Sequence, residues 1–173
     1  MTIVTRLSVG YTYLMPPTCS SPEALPALPG AYWLALTLPH PTHVRIGRLG
    51  AALFPQGYYV YTGSAHGPGG VRARLGRHLR GSPRRRWHID FLRAVAAPLA
   101  WGWTTAPDPT TPWECRWAQA LAASPGAFIP LPGFGASDCH AGCPAHLVGF
   151  PSLAALQNAA FTATRGTMEA CWP

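Results

Sequence analysis

Gly30-Ala31-Tyr32-Trp33-Leu34-Ala35-Leu36-Thr37-Leu38 opens on a glycine and then alternates. Tyr32, Leu34, Leu36 and Leu38 fall at every second position, the period of a β-strand with one covered face. His43 to Gly47 sets Val44 and Ile46 against Arg45, a short second strand. Tyr58 to Thr62 is aromatic and β-branched, a third strand entered through the turn Pro55-Gln56-Gly57. The expectation is that these three pair as an antiparallel meander. The loop His66-Gly67-Pro68-Gly69-Gly70 then ends the ladder, and Val71 to Leu79 reads as a helix.

Further along, Trp87 to Leu92 fits either a helix or an extended segment, and Trp101 to Thr105 fits a strand. Two prolines in Ala106-Pro107-Asp108-Pro109 suit neither helix nor ladder and mark a loop. Pro112 sits where a helix starts, and Glu114 to Ala123 carries Trp117, Ala120 and Leu121 on a common face. Gly133 to Asp138 is turn-rich, His146 to Phe150 is a short strand, and Ser152 caps a closing helix to Phe161. Residues 1–28, rich in proline and without a sustained period, are expected to be a loosely ordered extension. The domain is expected over 29–162, with a tail over 163–173.

Thirteen basic residues oppose six acidic ones, for a net charge of +7, and every basic residue is arginine. Eight of them, from Arg72 to Arg93, lie within 22 residues. A compositional bias toward arginine would explain the missing lysine but not the clustering, which is the footprint of a surface that meets polyanions. Five cysteines, an odd number, do not form a secreted disulfide framework. No stretch approaches 18 uninterrupted apolar residues, since Pro98 breaks the longest, and no cleavage site follows the N-terminus. A cytoplasmic protein without a membrane segment is expected.

A tyrosine on each of two strands, followed by a helix with Arg74 and His78 four residues apart, is a constellation suited to cutting phosphodiesters. Gly30-Ala31-Tyr32 and Tyr61-Thr62-Gly63, together with the segments RARLGRHLR, WHIDFL, GFGASDC and HLVGF, give the chain its resemblance to a known superfamily. It resembles the GIY-YIG nucleases, in the branch classed as a domain of unknown function and also found appended to some endonuclease III proteins. The resemblance implies an α+β fold, a small central antiparallel β-sheet flanked by helices. It also implies a metal-dependent endonuclease acting on nucleic acid, with DNA the expected substrate. The alternative is a non-catalytic nucleic-acid-binding module of the same fold. A protein-interaction domain would leave the arginine cluster unexplained.

By this resemblance the catalytic residues are Tyr32, Tyr61, Arg74 and His78. Tyr61 would act as general base or hold the attacking water, although a free phenol with a pKa of about 10 is scarcely ionised at neutral pH. Arg74 would pair its planar donors with phosphate oxygens, and His78 would relay a proton. Arg72, Arg77, Arg80, Arg84, Arg85 and Arg86 are expected to contact nucleic acid, and Ser64, Trp87, His88 and Asp90 to be auxiliary. Glu114 is expected to hold Mg²⁺, or Mn²⁺, through hard oxygen ligation. Cys139-x₃-Cys143-x₂-His146, which Cys115 could join, has soft ligands at a spacing unlike a standard finger, so zinc is not expected.

Overall fold

The computed structural model describes residues 22–164 and 169–171. Seven strands and four helices follow in the order β1 (Ala31–Leu38), β2 (Thr42–Arg45), β3 (Ala51–Phe54), β4 (Gly57–Ser64), α1 (Gly70–Arg80), α2 (His88–Leu92), β5 (Ala97–Thr104), α3 (Trp113–Ala122), β6 (Leu147–Phe150), α4 (Leu153–Thr164) and β7 (Glu169–Cys171). Five of the strands form one sheet in the order β6-β4-β1-β5-β7, with every neighbouring pair antiparallel. The fold is α+β, a central antiparallel sheet flanked by helices.

Alternation along the strands divides the core. Tyr32, Leu34, Leu36, Tyr59 and Tyr61 face one side, where Val71 and Leu75 of α1 and Ile89 and Leu92 of α2 cover them. Trp33, Ala35, Val60 and Val148 face the other, under Trp117 and Leu121 of α3 and Leu156 and Ala159 of α4. A strand covered on both faces must be apolar throughout, and β1 is buried at every position but Thr37.

The expected meander is not the pairing found. β1 pairs directly with β4, Leu34 opposite Tyr61, whereas β2 pairs with β3 in a separate two-stranded ribbon. The reason is burial: β2 buries only Val44, too little for an interior strand. β5 starts at Ala97, earlier than expected, because a register shift after Ala35 admits Pro98 opposite Leu36; proline is tolerated at bulges. Trp87 to Leu92 resolves as a short helix from His88.

Residues 22–28 lie against α1, with Leu25 fully buried. The amides of Val71 and Arg72 donate to the carbonyls of Leu28 and Pro26 at 3.0 and 2.9 Å, so the first turn of α1 is satisfied by backbone rather than by a side-chain cap. At the other end Arg93 donates to the carbonyls of His78 and Leu79 at 2.8 and 3.2 Å. The boundary drawn at residue 162 falls inside α4, and β7 lies beyond it. Residues 1–21 of the expected extension lie outside the described residues. Among the described residues no helix is long and apolar enough to cross a membrane.

Two glycines of the opening motifs are fixed by close approach. A Cβ on Gly30 would lie 2.1 Å from the Thr104 carbonyl oxygen, and one on Gly63, opposite Tyr32, would lie 2.6 Å from the Tyr32 hydroxyl. Because Tyr32 is fully buried, its ring has nowhere to swing. Gly63→Ala should therefore lower unfolding stability by about 1–3 kcal/mol, the usual cost of overpacking. Gly67→Ala, with open space at its Cβ, should stay within about 0.5 kcal/mol of the parent. Urea midpoints of the two variants would test this, and equal midpoints would refute it.

Candidate functional site

A cleft of about 670 Å³ opens where β4 ends. Tyr61 and Ser64 of β4 form its floor, Arg74 of α1 with Arg86 and Trp87 one wall, and Glu114 of α3 with Ser137 and Asp138 the other. The Thr62 hydroxyl donates to the Glu114 carbonyl at 2.9 Å, which anchors the first turn of α3 to the strand. Helices from opposite layers therefore meet at one strand end.

Asp90 organises the wall that carries Arg86 and Trp87. Its carboxylate accepts from the amides of Arg86 at 2.8 Å and Trp87 at 3.1 Å, and from Arg77 Nη2 at 2.9 Å. Its second oxygen lies 3.3 Å from His78 Nδ1. Burial alone would raise the Asp90 pKa; His78, the Arg86 amide, Arg77 and the Trp87 amide outweigh it and hold the carboxyl well below the usual range. His78, buried on α1, has its pKa lowered, chiefly by burial and against the pull of Asp90, so the imidazole is neutral near pH 7.

The His78 ring packs against both tyrosines, with centroids 5.8 Å from Tyr32 and 6.2 Å from Tyr61. The two tyrosine rings are 6.3 Å apart. Tyr61 faces the cleft, while Tyr32 and His78 stand behind it, fully buried or nearly so. Burial pushes the Tyr61 pKa up to about 12 despite the nearby Arg74 charge, and Tyr32 is raised as well, again chiefly by burial. Both remain phenols at neutral pH, able to donate a hydrogen bond or pass on a proton.

Glu114 is half-buried in the cleft, and its Oε2 has no hydrogen-bond partner among the described residues. Burial raises its pKa, helped by the charges of Asp108 and Asp138. His88 Nδ1 accepts the Gly135 amide at 2.9 Å, so His88 holds the 133–146 segment beside the cleft. Gly135 lies at positive φ, and a Cβ there would approach a Tyr61 ring carbon to 2.8 Å.

The arginines sort into unlike groups. Arg74 lies over the Trp87 ring at 4.3 Å, with Arg86 and Arg77 also against that ring at 5.5 and 4.9 Å. Arg74 makes no ion pair among the described residues. Arg77 is occupied by Asp90, and Arg72 Nε donates to the Leu25 carbonyl at 2.6 Å. Arg80, Arg84, Arg85 and Arg86 are exposed. Arg93, counted in the cluster, serves as a clasp on the end of α1.

Cys115, Cys139 and His146 also line the cleft, and with Cys143 they bring their ligand atoms within 4.8 Å of one another. This Cys₃His cluster suits zinc, not Mg²⁺ or Mn²⁺, which take hard oxygen ligands. The expectation of Mg²⁺ or Mn²⁺ and of no zinc is thereby overturned. Sequence spacing misled because the set is discontinuous, with Cys115 on a helix 24 residues before Cys139.

A family model described as a domain of unknown function, DUF123, matches residues 31–169. The chain belongs to that family. No curated protein and no solved structure gives a match.

Within this DUF123 domain the structure gathers Tyr61, Ser64, Arg74, Arg86, His88 and Glu114 at the cleft, and Tyr32, His78 and Asp90 behind it. Arg72, Arg77, Arg80, Arg84 and Arg85 do not line it. Sequence reasoning gave Trp87 only an auxiliary place near the site and left Asp138 out. Nothing local in the sequence marks Asp138.

Asp90 gives the DUF123 domain a specific acid sensitivity. Its folded pKa lies below the unfolded value of about 3.9, so the unfolded chain binds more protons through the acid range. The stabilisation is complete above about pH 5 and is lost as pH falls toward the folded pKa. Asp90→Ala should cost about 3 kcal/mol at pH 7, because Arg77 and two amides lose their acceptor. Its thermal midpoint should also depend less on pH between 5 and 2 than the parent's. Parallel pH curves for the two proteins would show that Asp90 does not carry this term.

Proposed function

We propose that this chain binds nucleic acid, with DNA the expected form, across its arginine-bearing face and hydrolyses a phosphodiester bond in the cleft. The observation that carries this reading is the convergence of Tyr61, Arg74, Arg86 and Glu114, from four separate segments, on one cleft. The resemblance of its motifs to those of GIY-YIG nucleases supports it, and a cytoplasmic location goes with it.

Arg74, held over the Trp87 ring, neutralises the phosphate and offers it paired donors. Water attacks phosphorus as the bond to the leaving oxygen breaks. Tyr61 takes the water's proton while passing its own to neutral His78, and Asp90 stabilises the imidazolium that forms. Glu114, whose raised pKa favours the acid form, protonates the leaving oxygen.

Cleavage of end-labelled branched, flapped and single-stranded DNA tests the proposal. Tyr61→Phe and Glu114→Gln should fold and bind like the parent but cut on the order of 10²–10³ times more slowly. Arg74→Ala should lose binding as well, because a guanidinium contacts the ground-state phosphate too. Replacing Arg84, Arg85 and Arg86 together with Ala should flatten the log–log salt dependence of duplex binding by up to about 2.7, or about 0.9 per phosphate contact. Full activity in Glu114→Gln would sink the mechanism. Salt-dependent binding without cutting on any substrate would leave a nucleic-acid-binding module in its place.

A further inference from the structure

The Cys₃His cluster has the dimensions of an occupied metal site. Tetrahedral zinc with Zn–S near 2.3 Å and Zn–N near 2.0–2.1 Å requires S···S separations of about 3.8 Å and S···N separations of about 3.6 Å. Cys115 Sγ lies 3.7 Å from Cys139 Sγ and 3.7 Å from His146 Nε2. A disulfide would need sulfurs about 2.05 Å apart, and three thiols could not all pair in one.

Polar groups surround the cluster. Gln119 Nε2 reaches Cys143 Sγ at 3.7 Å and also donates to the Ala141 carbonyl at 2.9 Å. His146 is fixed through its own backbone, its N–H on the Phe134 carbonyl at 2.7 Å and its C=O accepting Thr62 N–H at 2.9 Å. Such outer partners orient ligands and tune their charge.

The cluster also joins separate parts of the chain. Cys115 rides on α3, and His146 is tied to β4. Cys139 and Cys143 belong to the 133–146 segment, which turns through positive-φ glycines at 133, 135 and 142. Between Gly135 and Pro144 no residue is buried, so apolar packing contributes little to holding that stretch. Yet Ser137, Asp138 and His140 form part of the cleft wall.

We propose that Cys115, Cys139, Cys143 and His146 hold one zinc ion in a closed tetrahedral site that clamps the 133–146 segment onto α3 and so builds one wall of the cleft. Four protein ligands leave no open position, which makes the ion structural. Its binding energy is then folding energy for the segment it fastens. The proposal stands independently of any nuclease activity.

Metal analysis of the full chain, purified without chelator, should find one equivalent of zinc. Cobalt(II) in its place should give the visible and thiolate charge-transfer bands of a four-coordinate sulfur-rich site. Chelation should lower the thermal midpoint and make the 135–144 amides exchange faster, while amides of β1 and β4 stay protected. Cys139→Ser should lose stoichiometric zinc. Because that variant's fold could suffer, Gln119→Ala supplies a milder probe, with zinc affinity reduced about 10–100-fold. Three titratable thiols in metal-free parent protein, with a melting curve unchanged by added zinc, would overturn the proposal. So would a Cys115–Cys139 disulfide in protein purified under reducing conditions.

Discussion

The buried carboxylate of Asp90 is the interaction around which one side of this molecule is arranged. An ionised carboxylate taken out of water costs several kcal/mol unless donors replace its hydration. Here two backbone amides and the Arg77 guanidinium do so, with His78 at ion-pair distance. The donors come from α1, from the arginine-rich loop and from the residue that opens α2, so satisfying one charge fixes three segments. It also turns Trp87 into the cleft wall and points an oriented, neutral imidazole at the tyrosine pair.

Across the cleft the chain solves a different problem. After Phe134, which packs into the core, residues 135–144 bury no side chain, and their ordered course depends on local polar contacts, on the His88–Gly135 hydrogen bond and on the gathered sulfurs. A hard, charged hub thus supports one wall and a soft ligand cluster supports the other. Tyr61 lies between them, with Gly135 leaving room for its ring, as Gly63 does for the Tyr32 hydroxyl. These glycines are set by distances of approach rather than by turn chemistry alone.

The arginine cluster shows how little a count of charges says about their use. Arg77 and Arg93 spend their donors inside the protein, and Arg72 spends one of its donors there. Arg80, Arg84, Arg85 and Arg86 remain in solvent, and Arg74 is held against an aromatic face. Arg74 makes no ion pair among the described residues, so its guanidinium has donors to offer an anion. Its position on the first turns of α1 follows from the backbone contacts that seat that helix on residues 26–28.

Periodicity along the chain determined the elements whose burial is one-sided or complete over a long run. The β1 alternation, the aromatic β4 strand and the α1 and α3 helices are legible because each residue's exposure repeats with the local geometry. Gly30, Tyr32, Tyr61 and Gly63 likewise marked two strands that each present a tyrosine. Pairing partners were not legible: β2 and β3 form their own ribbon because neither can fill an interior place in the sheet, a comparison between strands that no single segment contains. Pro98 within β5 depended on a bulge opposite Leu36. The meeting of His78 with Asp90, and of Cys115 with Cys139, Cys143 and His146, was decided by tertiary structure alone. Ligand atoms from separate elements come within bonding range only when the sheet and both helical layers are in place, and sequence spacing does not carry that distance.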